Sequence, residues 1–269
     1  MRKYESVLGM LCDHAGPKLP TRDLSTRRVQ ASLDERERAP NTKKSYSNQV
    51  KAFCNWLIER DVLDENPVSG VALPRVPRKH PQYLELSEVD EFVEVIRRAE
   101  KNPKAMPGSS KWLVPIVRGN VCLGLRLREV VNLRWRQVDL KARRLQVAST
   151  EDFKVKGRRD RTLPLCESAR EVFSGLERRC EYVFPNYGGD KLHPQYLSRR
   201  FKHYARKTGL PEHVSFHTTR HTALSWLAMK GASTEAVRLY AGHSSVSVTE
   251  KYMHLSPNAY HDQVTQAFD

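Results

Sequence analysis

The sequence predicts a mainly α-helical protein with a small antiparallel β-sheet, an α+β fold in two domains. Apolar residues recur at helical spacing on both sides of residue 80, which indicates several amphipathic helices. Two short segments, 144–149 and 161–165, resemble strands and flank a polar, basic loop, as in a β-hairpin. Four prolines between residues 67 and 81 interrupt helix formation and are typical of a linker.

The proline-rich stretch sets the predicted domain boundary. We expect a helical domain at residues 1–77, a linker at 78–83 and a larger domain at 84–269 that ends in a tail helix. A chain of 269 residues is long enough to bury a sizeable core.

One apolar stripe defines the main helix of the first domain. A helix start near Pro40 is followed by Tyr46, Val50, Phe53 and Leu57, at spacings of four, three and four residues. We expect this stripe to pack into the core while the neighbouring lysines face outward. The first forty residues predict only one or two short helices.

Helical patterns also fill most of the second domain. An apolar face begins near residue 89. Further helices are predicted at residues 111–124, 128–135, 194–208, 218–230 and 233–241.

The charge of the chain favours a polyanionic partner. The formal net charge is +15 and the isoelectric point is about 9.7. Residues 1–80 carry 15 Lys and Arg against 10 Asp and Glu, and the rest carries 31 against 21. Both parts could therefore contact the same nucleic acid.

Several protein classes do not fit the composition. No apolar run is long enough to span a bilayer, and the amino terminus has no secretory signal pattern. The five cysteines are far apart and form no CxxC motif, which predicts reduced thiols. We therefore expect a cytoplasmic protein, nucleoid-associated when bound to DNA, with no membrane partner.

A set of polar residues in the second domain suits phosphodiester chemistry. Arg126 lies about ninety residues before His217 and Arg220, and Tyr252 follows His243 by nine residues. A phenol is a weak nucleophile at neutral pH, so nearby positive charge would be needed to favour its phenolate. Arginine forks stabilise the charge that develops on a phosphate under attack. His217 and His243 are expected to hydrogen-bond the same oxygens, and one of them to be able to accept the phenol proton.

The same residues resemble the motifs of the tyrosine recombinase (phage integrase) family. Gly124 to Glu129 is similar to its first arginine box, and His217, Arg220, His243 and Tyr252 are similar to its second. Lys156-Gly157 before Arg161 resembles its hairpin lysine. These elements occur in the family's order across roughly residues 84–255. Thr219 departs from the pattern, since the family usually has leucine before the second-box arginine.

The resemblance implies a site-specific DNA recombinase, or integrase, that serves DNA integration, often of a mobile element. Its fold would be a helical core-binding domain and a catalytic domain that close as a clamp around double-stranded DNA. Tyr252 would form a 3′-phosphotyrosyl intermediate, Lys156 would protonate the leaving 5′ oxygen, and Glu129 would orient an arginine. Four protomers on two paired sites would exchange strands through a Holliday junction. Neither metal nor another cofactor would be required.

Some assignments have rivals within the sequence. Lys154 lies two residues from Lys156 on the same loop, and Tyr240 and Tyr260 are alternative nucleophiles. His217 and His221 have the spacing of a zinc pair, but no acidic ligand accompanies them and Arg220 would repel a cation.

Two other functions remain open at this point. A type IB topoisomerase uses similar tyrosine chemistry, and a DNA-binding protein could keep the fold without catalysis. The formation of a covalent adduct and the joining of strands between two sites would separate these possibilities.

Two further features predict contacts outside the catalytic set. A carboxy-terminal stripe formed by Tyr260, Val264, Ala267 and Phe268 is expected to dock on a neighbouring protomer. Basic residues on both domains are expected to bind DNA phosphates. They are Lys43, Lys44, Lys51, Lys154, Arg158, Arg159, Arg199, Arg200 and Lys202.

Overall fold

A computed structural model describes residues 2–16, 18, 20–35, 38–75, 80–100, 109–157, 160–186 and 188–256. The chain divides into two compact units, Met1–Lys79 and His80–Asp269. The described residues form helices and one three-stranded antiparallel sheet, so the predicted fold class is confirmed. The predicted tail helix and its apolar stripe lie outside the described residues.

Helices alone make up the regular structure described in the first unit. Val50 and Leu57 from the predicted stripe are buried, and Tyr46 and Phe53 pack at the edge of the same cluster. Pro40 fits the first helical position because the N–H that it lacks would have no partner in the first turn. The helices are α1 (Arg2–Ala15), α2 (Thr26–Asp34) and α3 (Pro40–Ile58).

The second unit is built around two central helices, α5 and α9. Helix α5 packs against α4, α7 and α9, and α9 is buried on most of its faces. The described helices of this unit are α4 (Leu86–Glu100), α5 (Ser109–Leu123), α6 (Leu127–Val131), α7 (Glu167–Ser174), α8 (Pro194–Lys207), α9 (Phe216–Met229), α10 (Thr234–Ala241) and α11 (Glu250–Met253).

The sheet has the strand order β1-β2-β3. Leu145 at its centre pairs with Val138 and Leu163, and all three are buried in the core of the unit. Both predicted strands exist, although each ends earlier than expected, and the two-residue β1 was not predicted. The strands are β1 (Val138–Asp139), β2 (Arg144–Val147) and β3 (Arg161–Pro164).

The predicted helix at 128–135 is wrong in its second half. Helix α6 ends at Val131, and the chain then pairs with a distant segment. The Trp135 N–H donates to the Glu181 carbonyl at 2.9 Å, and the Leu133 carbonyl accepts from Val183 N–H at 2.9 Å. Leu133 and Trp135 are buried outside any α-helix, Trp135 at the start of a short 3-10 helix, which explains why their apolar character was misleading.

Candidate active site

A cleft of about 280 Å³ in the second unit brings the predicted catalytic residues together. Side chains from α9, α11 and the loops after α5, β2 and α10 form its wall. Gly157, Gly242, Ser244, Val248 and Lys251 complete the lining. The six predicted catalytic residues that line it are Arg126, Lys156, His217, Arg220, His243 and Tyr252.

Arg126 is fixed at the start of α6. Its backbone N–H donates to Glu129 Oε2, and its guanidinium donates to Glu129 Oε1, each at 2.9 Å. A third hydrogen bond runs from its Nη2 to the carbonyl of Gly242, also at 2.9 Å. The extended backbone of Arg126 before the helix lets main chain and side chain share one carboxylate.

Glu129 is shared between two arginines. Arg161 on β3 donates to both carboxylate oxygens, at 3.1 and 2.8 Å, and is itself almost fully buried. Burial alone would raise the pKa of Glu129, but the hydrogen bonds and charges of Arg161 and Arg126 outweigh it and lower the pKa to about 2. Glu129 is therefore ionised at neutral pH and orients Arg126. Sequence inspection did not identify Arg161 as a partner.

Gly242 contacts both arginines that bind Glu129, since its carbonyl accepts from Arg126 and its Cα lies next to Arg161. Its backbone has φ of +62° where α10 ends, a region that favours glycine. A Cβ atom here would lie 3.1 Å from Arg161 Nη1 and 3.2 Å from its Cδ. A larger residue would therefore disturb both the helix end and the arginine that holds Glu129.

Arg220 is buried in the wall of the cleft. Its Nη1 donates to the Gly124 carbonyl at 2.5 Å and its Nη2 to the Ala241 carbonyl at 2.6 Å. Burial, followed by the charge of Arg126, lowers the pKa of Arg220 to about 9, so it remains charged at neutral pH. Two charged guanidinium groups, each held by hydrogen bonds, therefore line the same cleft, which favours an anionic ligand.

The two predicted histidines flank the arginines. His217 is exposed to the cleft, and partial burial together with the charge of Arg220 lowers its pKa to about 4. His243 is buried, its Nδ1 lies 2.9 Å from Thr249 Oγ1, and burial and Arg220 lower its pKa to about 3. Both imidazoles are therefore neutral at pH 7, and each carries one N–H.

Tyr252 is held by a histidine that the sequence interpretation did not select. Its hydroxyl lies 2.6 Å from Nδ1 of His221, one turn beyond His217 on α9. The Tyr252 ring also stacks on His243, with centroids 6.4 Å apart. The spacing of His221 from His217 was noted only as a possible zinc pair.

Burial changes the acidity expected for Tyr252. The side chain is 1% exposed, and burial outweighs the effect of Arg220 and raises the pKa of Tyr252 to about 12. Arg220 lowers the pKa of Tyr252, as expected of a neighbouring cation, but burial has the larger effect, so the protonated phenol is the form present at neutral pH.

Two lysines line the cleft. Lys156 is exposed on the turn that follows β2 and lines the cleft, whereas Lys154 is not among the lining residues. Lys251 also lines the cleft, with its Nζ 5.2 Å from the ring centroid of Tyr252. Burial and Arg220 lower the pKa of Lys251. No sequence signal beyond its position next to Tyr252 indicated this residue.

The predicted DNA-binding residues have different surroundings. Lys43 forms an ion pair with Asp34 at 2.7 Å, while Lys44, Lys51 and Lys154 are exposed. Arg158 and Arg159 lie outside the described residues.

Helix α8 carries the remaining three residues of that prediction. Arg199 and Lys202 line a basic depression of about 450 Å³ together with His203, Arg206 and Lys207. Lys202 also donates to the Val214 carbonyl at 3.2 Å, and Arg200 donates to the Tyr204 hydroxyl at 2.9 Å.

The described residues offer neither a metal-binding cluster nor a membrane-spanning helix. Within the described ranges, no cluster of three or more His, Cys, Asp and Glu side chains is arranged to hold a metal ion. None of the described helices has both the length and the apolar character needed to cross a bilayer.

Residues 82–259 match the model of the phage integrase family. A tyrosine recombinase of Pseudothermotoga lettingae is 26% identical over 224 residues, covering 81% of this chain and 72% of the relative. The tyrosine recombinase XerC of Xylella fastidiosa is 28% identical over 243 residues, covering 86% and 77%.

Solved structures share the fold at lower identity. The integrase of transposon Tn1549 in complex with transposon right-end DNA superimposes with a TM-score of 0.75 at 17% identity, covering 97% of this chain and 91% of that one. The XerH site-specific recombinase bound to its palindromic difH substrate gives a TM-score of 0.75 at 16% identity, covering 98% and 78%.

Proposed function

The chain belongs to the phage integrase family, and from that premise we propose that it breaks and rejoins DNA strands through a covalent bond between Tyr252 and a 3′ phosphate. It is a site-specific DNA recombinase, an enzyme that transfers DNA strands. Its relatives are recombinases, so neither the topoisomerase nor the inactive DNA-binding protein is favoured.

One observation carries the assignment of residues. Two charged arginines, two neutral histidines, two lysines and a tyrosine line a single cleft, although they come from positions 126 to 252 of the chain. A phosphodiester carries one negative charge on two non-bridging oxygens. Arg126 and Arg220 can stabilise the charge that builds on these oxygens during attack, because their guanidinium groups are already held in place.

The first step forms the bond between the Tyr252 oxygen and phosphorus. In this proposal the phenol proton passes to Nδ1 of His221, the atom it already contacts at 2.6 Å. Burial and the neighbouring His217 lower the pKa of His221 to about 3, so the proton stays on Tyr252 at rest. Transfer becomes favourable only as the oxygen bonds to phosphorus and loses its basicity.

The same step breaks the bond between phosphorus and the 5′ oxygen. Lys156 on the β-hairpin loop would donate a proton to that oxygen, which leaves as a 5′ hydroxyl. A 5′ hydroxyl from the partner strand then attacks the phosphotyrosine, Lys156 recovers a proton, and His221 returns one to Tyr252. The number of phosphoester bonds is conserved, so the reaction needs neither ATP nor an external oxidant.

The assembly around this chemistry is part of the proposal. Double-stranded DNA is the substrate, and four protomers on two paired sites would exchange strands in turn through a Holliday junction. Contacts to phosphate from both units would hold the duplex, with α8 and the exposed lysines of α3 supplying positive charge. The enzyme would act on DNA in the cytoplasm, and integration of a mobile element is one process that it would serve.

A pool of nicked duplexes with randomised sequence tests this function and selects the DNA site in the same experiment. Cleavage beside a nick releases a short fragment, so the protein remains trapped on the 3′ phosphate. Adducts that survive denaturation are sequenced, and the selected sequence is rebuilt as one defined nicked duplex. The expected result is a covalent adduct with a consensus site. DNA binding without any adduct would overturn the catalytic proposal.

Intact copies of the selected site then separate recombination from relaxation. Incubation of two such duplexes with different flanking lengths should give exchanged products and, in the reaction, a four-way junction. Relaxation of a supercoiled plasmid without strand exchange would support a topoisomerase and contradict the recombinase.

A further inference from the structure

A buried asparagine connects the two arginine segments. Asn120 on α5 is 2% exposed and uses its whole side-chain amide. Its Oδ1 accepts from the Leu125 N–H at 2.8 Å, and its Nδ2 donates to the Leu125 carbonyl at 3.2 Å and to Thr219 Oγ1 at 2.7 Å. Thr219 is fully buried and donates in turn to the Phe216 carbonyl at 2.7 Å.

The bonds to Leu125 restrain the two peptide groups on either side of that residue. A peptide group is planar, so fixing the Leu125 N–H also fixes the direction of the Gly124 carbonyl. That carbonyl is the acceptor for Arg220 Nη1. Fixing the Leu125 carbonyl likewise fixes the Arg126 N–H, which donates to Glu129. One amide thus orients the backbone groups used by both arginines.

The bond to Thr219 ties the same amide to the second arginine segment. Thr219 directly precedes Arg220 on α9, and its hydroxyl is the only polar atom of its side chain. Leucine at this position, which is usual in the resembled family, could not accept the Asn120 N–H. Thr219, which departs from the family pattern, therefore has Asn120 as its hydrogen-bond partner.

We propose that Asn120 and Thr219 are positioning residues that align Arg126 and Arg220 with each other for attack on the phosphate. The inference rests on the proposed function, because it assigns a role in the same strand cleavage. Neither side chain lines the cleft, so both act through the backbone and the arginines.

Thr222 provides a matched control on the same helix. It is also a fully buried threonine with two hydrogen bonds, since its Oγ1 donates to the Thr218 carbonyl and accepts from the Leu84 N–H, each at 2.9 Å. Leu84 contributes no group to the cleft. Thr222→Val and Thr219→Val therefore remove the same hydroxyl from similar surroundings, but only the second breaks the link to the arginines.

The test compares two substrates built on the selected nicked duplex. One has a normal phosphodiester at the cleavage position and the other a stereochemically defined methylphosphonate, which has no negative charge. Accurate placement of two guanidinium groups should matter much less for the neutral substrate. The quantity measured is the single-turnover cleavage rate of the phosphodiester divided by that of the methylphosphonate, both at saturating full-length protein. The melting temperature of each variant is recorded separately.

The proposal predicts that Asn120→Leu and Thr219→Val lower this ratio about 10- to 100-fold, as expected for misplaced charged groups. Thr219→Ser keeps the hydroxyl and should retain the ratio, and Thr222→Val should retain it despite a comparable loss of stability. If Asn120→Leu does not fold, the comparison of Thr219→Val with Thr219→Ser still decides. A ratio that stays constant in Thr219→Val, or falls equally in Thr222→Val, overturns the inference. If the unaltered protein forms the adduct, such a result overturns only the positioning role. If the unaltered protein forms no adduct, the proposed function and the positioning role both fail.

Discussion

Nδ1 of His221 lies 2.6 Å from the hydroxyl oxygen of Tyr252, so the candidate nucleophile is held by a histidine outside the cleft lining. His217, one turn earlier on the same helix, faces the cleft instead. The two histidines of α9 therefore have separate tasks in the proposed mechanism, one toward the nucleophile and one toward the phosphate.

His221→Leu should slow adduct formation while leaving DNA binding in place. The substitution removes the proton acceptor of Tyr252, and general base catalysis contributes roughly 10²–10⁴-fold to a rate. Single-turnover cleavage of the selected nicked duplex measures the effect. If the rate stays within about threefold of the unaltered protein, a group other than His221 accepts the proton.

Lys156→Ala should slow cleavage by a similar factor, about 10²–10⁴-fold, if Lys156 is the general acid. A substrate with sulfur at the 5′ bridging position has a leaving group that does not need a proton, so it should restore most of the rate. Lys154→Ala and Lys251→Ala are the matched controls on the neighbouring lysines. If the sulfur substrate instead restores the rate of Lys251→Ala and not that of Lys156→Ala, the general acid is Lys251, the lysine next to Tyr252.

Glu129→Gln should destabilise the protein and impair cleavage together. The change removes the negative partner of two arginines in a buried cluster, and loss of one partner of a buried ion pair typically costs about 3–5 kcal/mol. Chemical denaturation gives the free energy of unfolding. A variant as stable and as active as the original would show that Glu129 does not orient Arg126.

The half-buried His221 and the buried His243 predict that stability falls as the pH drops below 6.5. The pKa values of His221 and His243 in the folded protein are lowered to about 3, so the unfolded chain binds protons first on acidification. Their contribution is fully present above the unfolded pKa and is lost as the pH falls toward the folded values. Each histidine contributes a slope of up to about 1.4 kcal/mol per pH unit.

Denaturation measured between pH 5 and 6 checks this linkage, with His221→Leu as the comparison. The variant should show a shallower dependence by roughly the slope of one histidine, about 1 kcal/mol per pH unit. An unchanged slope would mean that His221 is protonated in the folded protein.

The sequence was most informative where a pattern is local. The stripe of α3 follows from side-chain periodicity, β2 and β3 follow from two short segments around a polar loop, and the six catalytic candidates follow from motifs that resemble those of a known family. Partners brought together by the tertiary fold could not be predicted. Arg161 meets Glu129, and Asn120 meets Thr219, across separations of 32 and 99 residues with no local signal.

Errors in the sequence interpretation have physical causes. Leu133 and Trp135 continue an apolar pattern, but their backbone pairs with residues near 182, so the α-helix does not continue there. For Tyr252 the sequence indicates the neighbouring positive charges but not the burial of the ring, which has the larger effect on its pKa. Both features come from surroundings that only the folded chain creates.

The most direct test of the account is to identify the residue that becomes linked to DNA. The adduct from the selected nicked duplex is digested and its DNA-bound peptide is sequenced by mass spectrometry, in parallel with the Tyr252→Phe variant. The account predicts a single attachment at Tyr252, and a variant that still binds the duplex but forms no adduct. Attachment at another residue, or an adduct that persists in Tyr252→Phe, would contradict it.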